Sequence, residues 1–147
     1  MTLKELENCL IEYKFADGVS KFEILERYDE FTIFGIDNKF GGDFSGKITS
    51  DCLEFYGCGD DKFYDATKDG VLDMISQIEE ELANCVRFEF FNKLDELVFV
   101  IQSLITNDLN DVEINKFIDI AKNEIGDICK VKITSSKFKE EKFVKLG

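Results

Sequence analysis

The 147-residue chain contains no histidine and no proline. Without histidine, the usual zinc ligand sets lose a member, and a Cys or Ser nucleophile would need a Lys or a carboxylate as its base. No glycine-rich phosphate loop, Gly-x-Ser-x-Gly elbow or His-Glu-x-x-His stands in the chain. The expectation is a protein that is not an enzyme and has neither metal nor cofactor. Without proline, every backbone N–H is available to a sheet, and sheet edges are less protected than usual. The cysteines, at 9, 52, 58, 85 and 129, are odd in number and form no Cys-x-x-Cys pair. They are expected as free thiols, with Cys9 and Cys85 on or near apolar helical faces as small hydrophobes. No apolar run approaches the roughly 20 residues a membrane helix needs. The opening Met1–Glu7 lacks the apolar centre of a signal peptide and instead holds a helix-opening box of Thr2 with Glu5. A cytoplasmic location is the expectation.

What the chain does have is 44% hydrophobic content, 15 Phe, and 31 acidic against 18 basic residues, a net charge of −13. Its length suits one domain that buries about two-thirds of its unfolded surface. The charge is uneven: residues 130–147 hold six Lys and two Glu, +4, which leaves −17 for residues 1–129. The domain expectation is a single α+β domain over 1–129 and a Lys-rich C-terminal extension over 130–147, with a strand at Lys130 to Thr134. Strong negative charge disfavours nucleic acid and anionic membrane as partners, both being polyanions. It favours a basic protein partner; the bland alternative is that acidity only keeps the protein in solution.

Periodicity organises the chain around Gly70 to Ile125. Val71, Ile75, Ile78, Leu82 and Cys85 recur at helical spacing, with Glu79, Glu80 and Glu81 assigned to the other side. Val86–Phe91 and Leu97–Ile101, aromatic and β-branched around the polar 92–96, predict a hairpin. Positions 97, 98, 101, 104 and 105 also fit a helical stripe, so a helix over 94–105 is the rival reading. After a polar break at Thr106 to Asp111, Ile114, Phe117, Ile118, Ala121 and Ile125 mark another helix, with Asn110 and Glu113 at its start. Upstream, Leu3, Leu6, Leu10 and Tyr13 predict a first helix with Glu5, Glu7 and Glu12 mostly off its apolar face. Phe22–Tyr28 and Phe31–Phe34 predict a hairpin around Asp29-Glu30. Gly41-Gly42, Gly46, Gly57 and Gly59 punctuate strand-like runs at Gly46–Thr49 and Leu53–Tyr56, which extend that hairpin into a four-stranded meander. The expected fold is α+β, an antiparallel sheet with three helices in the order α-β-β-β-β-α-β-β-α and a short C-terminal strand.

Two local patterns need weighing. Phe22-Glu23 and Asp29-Glu30 recur 66 residues later as Phe88-Glu89 and Asp95-Glu96. This reads either as an internal duplication or as two hairpins patterned alike because each faces a core. Asp65 to Asp73 echoes a calcium loop, with oxygen ligands at alternate positions and a sixth-position Gly70. Its twelfth position is Ser76 where a bidentate Glu is expected, so the alternative is a polar loop whose Asp69 starts the next helix.

The run Met74-Ile75-Ser76-Gln77-Ile78, then Arg87-Phe88-Glu89-Phe90, Leu97-Val98-Phe99-Val100-Ile101 and Asp108-Leu109-Asn110-Asp111 before a last helix, resembles the type III secretion chaperone-like fold, including the YbjN-like proteins. The resemblance covers residues 3 to 125 in topology. It implies a dimeric, ATP-independent binder that holds a partner segment in extended form, and it carries over no functional residue. The first expectation for function is therefore an acidic protein-binding module of chaperone or adaptor type. The second is a stoichiometric inhibitor, such as a toxin immunity protein or a phage anti-defence protein, that blocks a basic nucleic-acid-binding or catalytic surface. Tyr56, Asp60, Asp61, Tyr64, Asp65 and Asp69 form the expected partner-binding loop, since aromatic rings among acids suit an interface anchor.

Overall fold

A computed structural model describes residues 1–41, 44–58, 60–105, 109–138 and 141–146. Gly42, Gly59 and part of the polar break, 106–108, lie outside the described residues. The chain is α+β, with, among the described residues, three helices and antiparallel strands in the expected order, and two four-residue strands join that order. It divides into two compact units, Met1–Leu82 and Ala83–Gly147, so compactness breaks at residue 82 and not at the charge boundary near 130.

In the first unit, α1 (Leu3–Glu12) precedes β1 (Lys21–Arg27), β2 (Phe31–Asp37), β3 (Ser45–Thr49), β4 (Cys52–Tyr56) and β5 (Lys62–Asp65), and α2 (Lys68–Asn84) follows. The five strands form a pure meander, β1-β2-β3-β4-β5. The capping box is present: Glu5 N donates to Thr2 Oγ1 at 3.2 Å and Thr2 N donates to Glu5 Oε1 at 3.3 Å. Alternation along the strands sends Phe34, Ile48, Leu53 and Phe55 to one buried face. Ile33, Lys47, Glu54 and Phe63 form a row on the other. Rings link the loop after α1 to the sheet, Phe15 to Phe22 at 5.0 Å and Phe22 to Phe34 at 5.7 Å.

Two acids depart from their expected positions. Glu7 is buried, accepting from Arg27 Nε at 2.8 Å and Thr32 Oγ1 at 3.1 Å. Glu81 is 2% exposed and shares the buried stripe of α2 with Val71, Met74, Ile75, Ile78 and Leu82. Both carboxylates are paired, which is the condition for keeping a charge out of water. Asp69 sits inside the first turn of α2. Thr67 performs the start, its Oγ1 accepting from Gly70 N at 3.1 Å and its carbonyl from Val71 N at 2.9 Å.

In the second unit, β6 (Cys85–Phe91) and β7 (Leu97–Leu104) precede α3 (Asp111–Glu124), β8 (Lys130–Ser135) and β9 (Lys142–Lys145). The antiparallel sheet runs β7-β6-β8-β9. Residues 97–104 are strand, so cross-strand packing of Phe99 and Ile101 opposite Phe90 and Phe88 prevails over the helical stripe. Asn110 caps α3 by accepting from Glu113 N at 3.0 Å. The face of α3 bearing Ile114, Ile118 and Ala121 closes over Val86, Phe88, Phe90, Val131 and Ile133, with Phe117 stacked on Phe88 at 4.7 Å. The Lys-rich segment is thereby a structural part of this unit: Val131 and Ile133 are fully buried, and β8 lies between β6 and β9. Cys85 opens β6 rather than closing the helix, and none of the five cysteines is in a disulfide.

The 66-residue echo does not map onto equivalent positions. β1 is an edge strand turning through Asp29-Glu30, with Tyr28 N donating to Phe31 O at 2.9 Å, whereas β6 is inner. The β6–β7 turn is longer, holds Asp95 at φ 63° and follows a bulge at Phe90/Phe91. The shared pattern therefore reflects two hairpins that each bury one face.

Candidate functional site

The β4–β5 register separates the six candidate residues. Phe55 pairs with Lys62 and Cys52 with Asp65, so Tyr56, Asp60 and Asp61 lie at one end of the hairpin and Asp65 at the other. Tyr56 donates its hydroxyl to Glu54, two residues back on the same face. That hydrogen bond, partial burial and the charges of Glu54 and Asp61 push its phenol up to about 12. Asp60 and Asp61 are exposed.

At the other end, Tyr64, Asp65 and Asp69 line a hollow of about 430 Å³ with Asp51, Cys52, Phe63, Thr67, Gly70 and Asp73. Its shape depends on Gly70. A Cβ there would stand 1.8 Å from the Asp65 carbonyl oxygen, so only glycine lets the first turn of α2 close onto the end of β5. This contact brings Asp69 and Asp73, one turn apart on α2, to the end of the strand that carries Asp65. Tyr64 is half-buried opposite Leu53; burial first, then the charges of Glu81 and Asp73, raise its phenol above the ordinary value. Phe63 projects from the opposite face of β5 and is 62% exposed.

A second hollow of about 800 Å³ adjoins the first through Asp51, in the turn between β3 and β4, and is lined also by Leu3, Asp29, Glu30, Phe31, Lys47, Thr49 and Ser50. Lys47 lies over the Phe31 ring at 4.6 Å, and Tyr28 stacks on that ring at 4.5 Å. The two hollows place Asp29, Glu30, Asp51, Asp65, Asp69 and Asp73 along one end of the five-stranded sheet, beside exposed aromatic rings.

Glu81, absent from the expected site, fixes the far loop. Its Oε1 accepts from Cys58 N at 3.0 Å and its Oε2 from Gln77 Nε2 at 3.0 Å. Gly57 leaves the room for this: a Cβ there would stand 2.3 Å from Glu81 Oε1. The signal was available in the sequence, because Glu81 stands three residues after Ile78 on the apolar stripe. Asp51 had no comparable signal, since only sheet pairing brings it next to Asp65.

The electrostatic contrast between units is large. Met1–Leu82 holds 20 acidic and 8 basic residues, a net −12, while residues 83–147 hold 11 and 10, a net −1. Such a field attracts cationic groups and raises their encounter rate. Among the described residues, no group of three or more His, Cys, Asp or Glu is placed to hold a metal ion. The calcium-like pattern fails in geometry as well, because Lys68 onward is helix where a binding loop would have to curl around an ion. Among the described residues, no helix is long and apolar enough to cross a membrane. Comparison with family models, curated proteins and solved structures finds no match for this chain.

Proposed function

We propose that the chain is a non-catalytic, cytoplasmic protein-binding module of adaptor or chaperone type, whose acidic first unit takes a basic segment of a protein partner. The observation that carries this reading is the row of six carboxylates beside exposed aromatic rings at one end of the first sheet. Aromatic anchors supply contact area, and the carboxylates steer a cationic segment and set its register. Asp65, Asp69 and Tyr64 belong to this surface; Tyr56, Asp60 and Asp61 form a separate acidic loop at the other end of the β4–β5 hairpin.

The test is capture of the partner from host extract with the intact chain and with an Asp65→Lys/Asp69→Lys variant. The intact chain should retain a basic protein that the variant loses, and retention should fall steeply as salt passes a few tenths molar. Charges beyond about 8 Å are screened at physiological ionic strength. Capture indifferent to both charge reversal and salt would sink the proposal.

The net −12 of the first unit also favours a second reading, stoichiometric inhibition, in which the same carboxylates cover a basic nucleic-acid-binding or catalytic surface of the target. The two readings separate on the partner: an inhibitor abolishes its target's nucleic-acid binding or activity at one-to-one stoichiometry, and an adaptor leaves it intact.

A further inference from the structure

Among the described residues, the two sheets present four edge strands, β1, β5, β7 and β9. An exposed edge is a template for strand pairing, and natural proteins blunt it with charge, proline, brevity or a bulge. β1 carries four charged residues and a register shift between Ile24 and Glu26. β5 and β9 are four residues each, β5 with Lys62 and Asp65, β9 with Lys142 and Lys145. β7 is eight residues, Leu97 to Leu104, without one charge or proline. Its one irregularity, opposite Phe90 and Phe91, leaves the run from Phe99 to Leu104 in unbroken register with β6. Among the described residues, β7 pairs with β6 alone.

Pairing alternates, so the open side of β7 can be read from one bond. Ile105 N donates to Asn84 O at 2.8 Å, which turns the backbone groups of Val100 and Leu104 away from β6. Val100, 37% exposed, and Leu97, 48% exposed, add apolar surface along the strand.

We propose that β7 is the seam of a homodimer, pairing antiparallel with β7 of a second copy about a two-fold axis near Ile101. Two features select a second copy as the occupant. The contact falls in the unit of net −1, where two copies of an acidic chain approach with the least repulsion. A two-fold antiparallel pairing is self-complementary in backbone hydrogen bonds, as an isologous interface requires. This proposal is independent of the partner-binding reading of the first unit.

The test is the mass of the intact chain by light scattering from low to high micromolar concentration, with Val100→Lys and Val100→Pro compared. Val100→Pro removes an outward N–H and leaves the β6 ladder intact. Twice the chain mass is expected for the natural sequence, and each variant should raise the dimer dissociation constant at least tenfold. Leu25→Lys, on the β1 edge of the other unit, should leave it unchanged. Amide exchange of Val100 and Leu104 should slow as concentration rises, which also reads the seam should a variant fail to fold. A monomer throughout, a dimer indifferent to both Val100 changes, or amides at 100 and 104 that exchange at the same rate at every concentration would each overturn the proposal. So would an assembly in which β7 pairs only with a different protein.

Discussion

The first unit takes a net charge of −12 and all four tyrosines of the chain, at 13, 28, 56 and 64; the second is nearly neutral and has none. The cores differ as well. The first packs α1, α2 and a cluster of phenylalanines onto one face of a meander, while the second closes α3 over a sheet whose inner strands are β6 and β8. One chain thus joins a strongly acidic unit to a nearly neutral one, and the two proposed interaction surfaces fall one on each.

The sharpest way to break this comparison is to remove one ring from each core. Phe34→Ala and Phe88→Ala both delete a fully buried ring and should each cost about 4 kcal/mol by chemical denaturation. A cost under about 1 kcal/mol for either would mean that unit has no specific core. Gly70→Ala should come next, at about 3 kcal/mol, because the new methyl meets backbone rather than a movable side chain. It should also lower affinity for a basic partner by displacing Asp69 and Asp73. Glu81→Leu removes the hydrogen bond from Cys58 N to Glu81 Oε1 and should cost about 2 kcal/mol, with faster amide exchange at Cys58. At the small end, Lys116→Ala removes an exposed 3.2 Å pair with Glu113 on α3 and should change stability by no more than about 0.5 kcal/mol.

Tyrosine ionisation sharpens the contrast further, since it reports on the first unit alone. All four phenols are raised: Tyr13 by burial and its bond to Glu79, Tyr28 by its bond to Glu26, Tyr56 by its bond to Glu54, and Tyr64 by burial. A raised folded pKa means the folded form resists losing the proton. Its contribution to stability is fully present below the unfolded value of 10.0 and is lost as pH climbs toward the folded value, about 12 for Tyr56. Absorbance at the phenolate band should therefore rise later in the native protein than in denaturant, and stability should fall between pH 10 and 12. Coincident native and denatured titrations would contradict the acid–phenol contacts.

Much of the fold was legible because its elements repeat a period. The apolar stripe Val71, Ile75, Ile78, Leu82 placed α2, Thr2 with Glu5 and Asn110 with Glu113 placed two helix starts, and the aromatic and β-branched run at 97–101 was enough for a strand. Strands β5 and β9 escaped, since four residues are too few to show a period. Charge predicts solvent for Glu7 and Glu81, whereas spacing puts both on apolar faces, which a paired carboxylate can occupy. The acidic row of the candidate site was legible only in part. Asp65 and Asp69 are near neighbours in sequence and stay together, but Asp51, Asp29 and Glu30 join them through sheet register, which no local pattern encodes. The same register sends Asp60 and Asp61 to the opposite end of the hairpin.

The measurement closest to the central claim is a titration of the intact, isotope-labelled chain with a short oligolysine peptide, followed by amide chemical shifts. Shifts should cluster at Asp29 to Phe31, Asp51 and Phe63 to Asp73, saturate together, and vanish as salt is raised. Shifts spread evenly over both units, or concentrated on 83–146, would contradict an acidic binding end on the first sheet.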